Sequence, residues 1–349
     1  MYSQIASLGF SEVRNNVIGQ DEAMRKLTAV MIKHKIVSDN PSANLPQTNI
    51  FLCGNSGCGK TYMATKIAEA AGLNVIFINC SMLSQEGYKG LNLNQVIYNS
   101  YKCCSVLEKQ YFSRSVIILD EFDKMVDNFN RDSRNATIFD LLPLLDGKYK
   151  LDLSEFKREG YIDLSQCLII LSGACYSVKQ QKARKTNAIG FSEQERIDNK
   201  SNPEFITEDD LINGGYPTEI MGRISQIINV NSLSKSDLEK IITNSYDSAF
   251  NQYKRFYKFL DVNLKITNAA KSNIAELASR KKTGARALKT IFDDLLLDEI
   301  ENASNKDNLS ELIISWNKNQ GLYVKQKYDE KIKHLVQENE NVDIEYISA

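Results

Sequence analysis

Short apolar runs alternate with amphipathic stretches along the first two thirds of the chain. Five of these runs have the length and the flanking polar residues of buried strands, at 48–53, 74–79, 115–119, 168–171 and 227–230. Stretches with apolar residues at helical spacing, such as 62–71, separate the runs. This alternation predicts an α/β domain over residues 1–230, with a parallel sheet covered by helices on both faces.

The pattern changes after residue 230. Ser234, with Asp237 three residues later, predicts the start of a helix, because the two side chains can cap each other's backbone. The apolar residues that follow at helical spacing are Leu238, Ile241, Ile242, Tyr246, Ala249, Phe250 and Tyr253. Further helices are predicted at 269–280 and 288–296, and strands at 262–266 and 312–316. We expect a smaller, mainly helical α+β domain over 231–328 and a polar tail over 329–349.

The composition narrows the class of protein. The 349 residues carry a net charge of −1, with 42% hydrophobic and 25% charged residues, which is ordinary for a globular protein of two domains. This balance gives no overall attraction to nucleic acid, so direct nucleic-acid binding is not expected. Residues 1–10 lack a basic segment followed by an apolar core, and no apolar run approaches the roughly 18 residues that span a bilayer. We expect a cytoplasmic protein without membrane contact.

Cysteine and histidine are placed in a way that argues against a zinc module. The seven cysteines include no Cys-x-x-Cys pair, and the chain has only two histidines. Several cysteines lie in apolar strand-like runs, which predicts small buried side chains that stay reduced.

Residues 54–61, Gly-Asn-Ser-Gly-Cys-Gly-Lys-Thr, form a complete phosphate-binding loop between a predicted strand and a predicted helix. The glycines allow consecutive backbone N–H groups to face the phosphates, Lys60 reaches the β- and γ-phosphates, and the Thr61 hydroxyl is a ligand for Mg²⁺. A chance glycine-rich turn is the alternative, and it rarely has this strand–loop–helix context. The loop therefore predicts an ATPase.

An acidic pair follows about sixty residues later. Residues 115–124 begin as an apolar strand that ends on Asp120 and Glu121, and this resembles a Walker B element. The spacing favours a strand that neighbours the strand of the phosphate loop in one parallel sheet. Asp120 is then predicted to hold Mg²⁺ through its water shell, and Glu121 to orient and deprotonate the attacking water.

Three further motifs resemble those of the AAA+ ATPases, and within them the ClpX-like protein unfoldases, so that the resemblance covers most of the chain. Val17-Ile18-Gly19-Gln20 is similar to the family's Ile-Gly-Gln motif, whose apolar residues line the adenine pocket. Residues 217–223 resemble the box whose last arginine, here Arg223, enters the neighbouring subunit's ATP site. Thr283-Gly284-Ala285-Arg286 resembles the sensor-2 motif, which implies that Arg286 lies over the phosphates. A surface salt bridge is the alternative for either arginine.

The resemblance implies a complete catalytic and nucleotide-binding site. Its catalytic residues are Glu121, Arg223 and Lys60, and Thr61 and Asp120 hold the Mg²⁺ that accompanies ATP. Sensor 1, a polar residue at the end of the fourth strand, falls on Ser172. The residues implied to bind the nucleotide are Val17, Ile18, Gly57, Cys58, Gly59, Lys60, Thr61, Tyr62, Asp120, Ser172 and Arg286.

Two loops bear on the use of the ATP energy. Gly-Tyr-Lys-Gly at 87–90 resembles the Gly-Tyr-Val-Gly pore loop of ClpX, so Tyr88 is implied to grip unfolded polypeptide, with Lys89 in place of a small apolar residue. Within the polar stretch 179–204, Ile189-Gly190-Phe191 matches the tripeptide with which ClpX docks on the ClpP peptidase. An exposed turn and a loop folded back on its own domain are the respective alternatives.

The chain also departs from ClpX. It begins about sixteen residues before the Ile-Gly-Gln motif, without the zinc-binding domain of ClpX. The segment 128–166 is shorter than the corresponding segment of ClpX, so we expect the lower pore loops to be reduced. The overall expectation is a hexameric homo-oligomer that unfolds polypeptide substrates and feeds a ClpP-type peptidase. A dedicated remodeller of one protein or protein–nucleic acid complex, a regulatory nucleotide switch and a DNA motor are the alternatives.

Overall fold

The computed structural model of the chain describes residues 10–40, 48–83, 92–131, 136–188, 205–281, 283–305 and 309–328. The chain divides into two compact units between Ser232 and Leu233. In these ranges no helix is both long enough and apolar enough to cross a membrane.

The first unit alternates strands and helices along its sequence. Its strands are β1 (Asn49–Cys53), β2 (Val75–Asn79), β3 (Val116–Asp120), β4 (Lys150–Asp152), β5 (Tyr161–Asp163), β6 (Leu168–Gly173) and β7 (Gln226–Asn229). Its α-helices are α1 (10–16), α2 (Asp21–Asp39), α3 (Lys60–Ala70), α4 (Leu93–Cys103), α5 (Val106–Gln110), α6 (Phe122–Arg131), α7 (Leu142–Leu145), α8 (Tyr176–Ala188), α9 (Glu208–Asn213) and α10 (Thr218–Met221). Short 3₁₀ turns lie at Cys80–Met82, Phe112–Arg114, Ala136–Leu141 and Leu153–Phe156.

Five strands of the first unit form one parallel sheet in the order β2-β3-β6-β1-β7. This confirms the predicted α/β fold class. One detail of the prediction was wrong, because β3 does not neighbour β1: β6 lies between them and pairs with both. The spacing of two motifs limits the length of the chain between two strands but not their order in the sheet. A separate two-stranded hairpin of β4 and β5 was not predicted.

The parallel sheet is buried on both faces, as its apolar strands require. All five residues of β1 are buried. Ile50 and Leu52 belong to a core cluster with α2 and α3, whereas Phe51 and Cys53 belong to another cluster with α4 and α6. Helices therefore cover both faces and leave the ends of the strands as the places where polar chemistry can occur.

The second unit combines helices with a small sheet. Its elements are α11 (Lys235–Asn244), α12 (Ala249–Lys258), β8 (Asn263–Ile266), α13 (Asn268–Arg280), α14 (Arg286–Asn305), β9 (Leu309–Asn317) and β10 (Gly321–Tyr328). The strand order is β10-β9-β8, and the sequence did not predict β10, which pairs with β9 in antiparallel fashion. The predicted aromatic stripe is partly core: Phe250 is buried and Tyr253 packs against the cluster, whereas Tyr246 is 61% exposed.

Candidate nucleotide site

The phosphate loop connects β1 to α3, and its glycines are needed for two different reasons. Gly57 and Gly59 have φ angles of 72° and 94°, in the left-handed region that favours glycine. At Gly54 a Cβ atom would lie 2.7 Å from the carbonyl oxygen of Val230, just after β7. The loop therefore turns tightly and leads into the N-terminus of α3, where backbone N–H groups attract anions.

Lys60, the first residue of α3, reaches back across the loop. Its Nζ atom donates hydrogen bonds to the carbonyl oxygens of Gly54 at 2.7 Å and Asn55 at 3.0 Å. The residue is 8% exposed. A buried ammonium group gains more from an anionic acceptor than from neutral carbonyl groups. The geometry therefore suits Lys60 to phosphate oxygens.

Thr61 and Asp120 are in contact although they are 59 positions apart in the sequence. The Thr61 hydroxyl donates to Asp120 Oδ2 at 2.8 Å, and Asp120 Oδ1 accepts a hydrogen bond from the Glu121 N–H at 3.0 Å. Glu121 has a φ of 54°, a left-handed conformation that is uncommon outside glycine. Such backbone conformations occur at functional positions more than elsewhere. Both acidic residues thus lie at the carboxyl end of the sheet, beside the phosphate loop.

These residues fit a magnesium nucleotide. The hydroxyl and carboxylate oxygens of Thr61 and Asp120 are the ligand types that Mg²⁺ prefers, usually together with phosphates and waters. Lys60 and the N-terminus of α3 supply the positive charge that the phosphates need.

Asp123 on α6 connects the acidic pair to the segment after β6, and sequence reasoning gave it no role. Its Oδ2 atom accepts hydrogen bonds from the N–H groups of Ala174 at 3.2 Å and Cys175 at 3.3 Å. The residue is buried, and burial raises the pKa of its carboxyl group. By holding residues 174–175, Asp123 fixes the start of α8. No motif signals this contact, because it joins positions 51 and 52 residues apart.

The start of α8 lies on the phosphate loop, which the sequence also did not predict. The Tyr176 hydroxyl accepts a hydrogen bond from the Ser56 N–H at 3.3 Å. Lys179 Nζ donates to Asn55 Oδ1 at 2.9 Å. Two loop residues are therefore held by the first turn of a helix that follows β6.

The segment with Val17 and Ile18 is held beside the same loop through Gln20. Gln20 is 1% exposed, and its amide exchanges two hydrogen bonds with the backbone of Asn231, at 2.8 Å and 2.9 Å. Its Nε2 atom also donates to the Cys58 carbonyl oxygen at 3.5 Å. Gln20 was part of the recognised motif, but its linking role could be seen only in the structure.

Ser172, the residue implied as sensor 1, pairs with Leu52 within the sheet. Its side chain is fully buried, and its Oγ atom has no hydrogen-bond partner among the residues that the structure describes. A buried hydroxyl without a partner costs about 1–3 kcal/mol. Its role as a sensor stays a prediction.

Arg223 lies at the amino edge of the sheet, where the amino ends of the parallel strands meet. The phosphate loop lies at the carboxyl edge, where their carboxyl ends meet. Its guanidinium forms a bidentate pair with Asp146, with Nε–Oδ1 and Nη2–Oδ2 distances of 2.6 Å and 3.3 Å. Nη1 donates to the carbonyl oxygen of Glu219. The hydrogen bond from Arg223 holds the pKa of the Asp146 carboxyl below its usual value. The two side chains are 32% and 30% exposed, so the pair lies at the surface of the unit.

Asn49 supports this pair from the first position of β1. Its buried Nδ2 atom donates to the carbonyl oxygens of Leu145 at 2.8 Å and Arg223 at 3.0 Å. The other end of β1 enters the phosphate loop, and five strand residues span roughly 16 Å. An arginine side chain cannot cover that distance, so Arg223 does not reach the phosphate loop of its own chain.

The remaining predicted site residues are only partly described. Arg286 is exposed at the start of α14, and its N–H donates to the Thr283 carbonyl oxygen at 3.2 Å across a turn in which Gly284 has a φ of 55°. Cys58 is buried within the loop, and Tyr62 lies in the first turn of α3. The residues outside the described ranges are Tyr88, Lys89, Ile189, Gly190 and Phe191.

Known proteins resemble this chain in both units. Residues 50–182 match the AAA family, described as the ATPase family associated with various cellular activities, and residues 233–313 match the C-terminal, D2-small domain of ClpB protein. Two similar proteins are each named ATP-dependent Clp protease ATP-binding subunit ClpX. The one from Treponema denticola is 28% identical over 325 residues, which cover 86% of this chain and 77% of that protein. The one from Borrelia duttonii is 25% identical over 326 residues, which cover 87% and 76%.

The first match contains the phosphate loop, Asp120 and Glu121, and the second begins where the second unit begins. The contacts of Lys60 and Thr61 give this part of the chain the geometry of a nucleotide site. The chain therefore contains an AAA ATPase domain followed by a small domain similar to that of ClpB, resembles ClpX over most of its length, and hydrolyses ATP.

Proposed function

We propose that this ATPase forms a hexameric ring that pulls polypeptide through a central pore and delivers it to a ClpP-type peptidase. The similar proteins from Treponema denticola and Borrelia duttonii are named as ATP-binding subunits of a Clp protease. The motifs at 87–90 and 189–191 support the pore and the peptidase contact, and this support comes from the sequence alone.

The position of Arg223 is the main observation that supports a ring of several copies of the chain. Its guanidinium is held at the surface by Asp146, at the edge of the sheet opposite the phosphate loop. A cation in that position can stabilise phosphate charge only in another copy of the chain. An ATP site shared between neighbours repeats around a closed ring, because head-to-tail contacts generate rings when the rotation closes.

Within this proposal the residues at the loop divide the chemistry between them. Lys60 binds the β- and γ-phosphates, and Thr61 and Asp120 are the residues that would hold Mg²⁺. When bound, Mg²⁺ neutralises charge on the phosphates. Glu121 accepts the proton of the attacking water, while Arg223 of a neighbouring copy stabilises the charge that develops on the γ-phosphate.

Three other residues of the first unit complete the nucleotide site. Val17 and Ile18 pack on the adenine, and the segment that contains them is held next to Cys58 by Gln20. Ser172 and Arg286 respond to the state of the nucleotide, as the family resemblance implies.

A substrate trap tests the whole proposal. The tagged Glu121→Gln chain is expressed in its native cells and purified in ATP, so that substrates stay in the pore and can be identified by mass spectrometry. A ClpP-type peptidase together with many unrelated proteins is the expected result. One dominant partner without a peptidase would identify a dedicated remodeller, and DNA bound with strong salt dependence would identify a DNA motor.

Tyr88→Ala separates motor action from ATP hydrolysis. We expect ATP turnover to persist while unfolding of a tagged reporter protein stops, because the aromatic ring is the apolar grip on the substrate. Tyr111→Ala is the control, since it removes a tyrosine ring that is 57% exposed and belongs to none of the motifs. Unfolding that survives in Tyr88→Ala would remove the pore-loop assignment.

A further inference from the structure

Lys179 is a cation beside the phosphate loop to which no motif assigns a role. Its Nζ atom donates to Asn55 Oδ1 at 2.9 Å, and the residue is partly buried. The carbonyl oxygen of the same Asn55 accepts a hydrogen bond from Lys60 Nζ. Ammonium groups from two different helices therefore bind one loop residue, one at its backbone and one at its side chain.

The position of Lys179 is fixed by contacts that do not involve its own side chain. The Tyr176 hydroxyl binds the Ser56 N–H, and Asp123 binds the N–H groups of Ala174 and Cys175. Cys175 has a φ of 53°, which turns the chain from β6 into α8. The first turn of α8 is thus anchored both on the phosphate loop and on α6.

Lys182, three residues later on the same helix, offers a contrast. Its Nζ atom pairs with Asp210 at 2.7 Å and donates to the Phe205 carbonyl oxygen at 2.7 Å. Lys179 forms no ion pair with a carboxylate of the described residues, and its acceptor is a neutral amide. Because an ammonium group binds an anionic oxygen more strongly than an amide, an anion at the loop would be a stronger partner for Lys179 than Asn55 is.

The charge of Lys179 reaches into the phosphate loop. Burial raises the pKa of the Cys58 thiol, and the charges of Lys60 and Lys179 both oppose that rise. A thiol inside the loop therefore experiences both cations, and so does any anion bound there.

We propose that Lys179 binds the γ-phosphate of ATP and thereby favours ATP over ADP. Lys60 marks the part of the loop that faces the β- and γ-phosphates, and Lys179 approaches the same part from α8, at Asn55. Ser172, the residue implied to sense the nucleotide, is buried within the sheet, whereas the ammonium group of Lys179 lies on the phosphate loop itself. The inference rests on residues 54–61 being the ATP site.

The experiment compares the affinities for ATP and ADP, measured by calorimetric titration of the full chain on a Glu121→Gln background that prevents turnover. Lys179→Met is expected to weaken ATP binding by about tenfold or more, because a charge-assisted hydrogen bond is lost, while ADP affinity changes by less than about twofold. Lys179→Arg is expected to restore the preference for ATP. Lys182→Met is the matched control, and it is expected to leave both affinities within about twofold.

Two results would overturn the inference. Equal weakening of ATP and ADP in Lys179→Met would mean that the residue only supports the loop, and unchanged ATP affinity would mean that it does not touch the nucleotide. Lys60→Ala tests the site itself, since it should lose affinity for both nucleotides. If Lys60→Ala binds ATP and ADP with normal affinity, residues 54–61 are not the ATP site. If Lys60→Ala loses affinity for both nucleotides but Lys179→Met binds ATP normally, the site is correct and the role proposed for Lys179 is wrong.

Discussion

The two ends of β1 carry the two halves of the proposed reaction, and they are built differently. At its carboxyl end, the phosphate loop, Asp120 and α8 are joined by direct contacts within the chain, and Lys60 is 8% exposed. At its amino end, Arg223 is about a third exposed and is held by one surface carboxylate. The first half is complete within a single chain. The second half is stabilised but has no phosphate to bind in its own chain.

The difference shows how a buried strand can serve two sites at once. Cys53 at one end of β1 leads into the phosphate loop, and Asn49 at the other end binds the backbone of Arg223. Changes at the carboxyl edge should therefore alter nucleotide binding or hydrolysis in the chain that carries them. Changes at the amino edge should leave the binding of ATP by that chain intact and act on the neighbouring copy.

Arg223→Ala tests the comparison with the largest expected effect. Loss of a cation that stabilises transferring phosphate should lower ATP turnover by about 10³- to 10⁵-fold, while ATP affinity stays close to that of the unaltered chain. Turnover and calorimetric titration measure the two quantities. Arg280→Ala is the matched control, because Arg280 is also an exposed arginine paired with a carboxylate.

Mixing the variants locates the action of Arg223. Rings that combine Arg223→Ala with Glu121→Gln chains contain sites with an intact Glu121 next to an intact Arg223, so turnover should rise above that of either variant alone. No recovery in mixed rings that have exchanged subunits would place the action of Arg223 in its own chain.

Glu121→Gln tests the carboxyl edge. The amide cannot take a proton from water, so turnover should fall by about 10²- to 10⁴-fold while ATP still binds. Single-turnover hydrolysis and titration measure both effects. Glu69→Gln, on α3, serves as the control, since Glu69 is an exposed carboxylate paired with Lys66. Near-normal hydrolysis in Glu121→Gln would assign the role of base to another residue.

The sequence predicted those parts of the molecule that are continuous along the chain. The loop 54–61 lies between a strand and a helix, and Asp120 ends a buried strand, so apolar pattern and motif together located them. The strand order and β10 were missed, because both depend on pairing between distant segments. The exposure of Tyr246 was missed for the same reason, since helical spacing does not show where the packed face ends.

Contacts between distant residues were also invisible in the sequence. Lys179 and Asn55 are 124 positions apart, and Asp146 and Arg223 are 77 apart. Lysine on a polar helix and aspartate after a short apolar run are ordinary in any globular protein. Only the crossovers of the sheet bring α8 to the loop and place Asp146 beside Arg223, so no local signal could have identified these partners.

Asn49→Ala tests the link between the two edges. The carbonyl oxygens of Leu145 and Arg223 would lose a buried donor, so the free energy of unfolding should fall by about 1–3 kcal/mol. Turnover should fall less than in Arg223→Ala, because the guanidinium is still present. Chemical denaturation and ATPase assays measure these effects. Asn74→Ala removes an exposed hydrogen bond to a backbone carbonyl and is the control. Unchanged stability would show that Asn49 does not support this edge.

Asp146→Asn is the mildest change at the amino edge and the one that best defines what that edge requires. The variant keeps the shape and one acceptor oxygen but loses the charge that orients the Arg223 guanidinium. Exposed ion pairs contribute little free energy, so ATP turnover should change by about fivefold or less. Salt screens the pair, so the difference in turnover between the variant and the unaltered chain should become smaller at high salt. Glu276→Gln, in another exposed pair, is the control for a general loss of surface charge. If ATPase assays at low and high salt show a loss as large as that of Arg223→Ala, then the carboxylate is as necessary as the arginine. In that case the amino edge holds a two-residue site rather than one positioned cation.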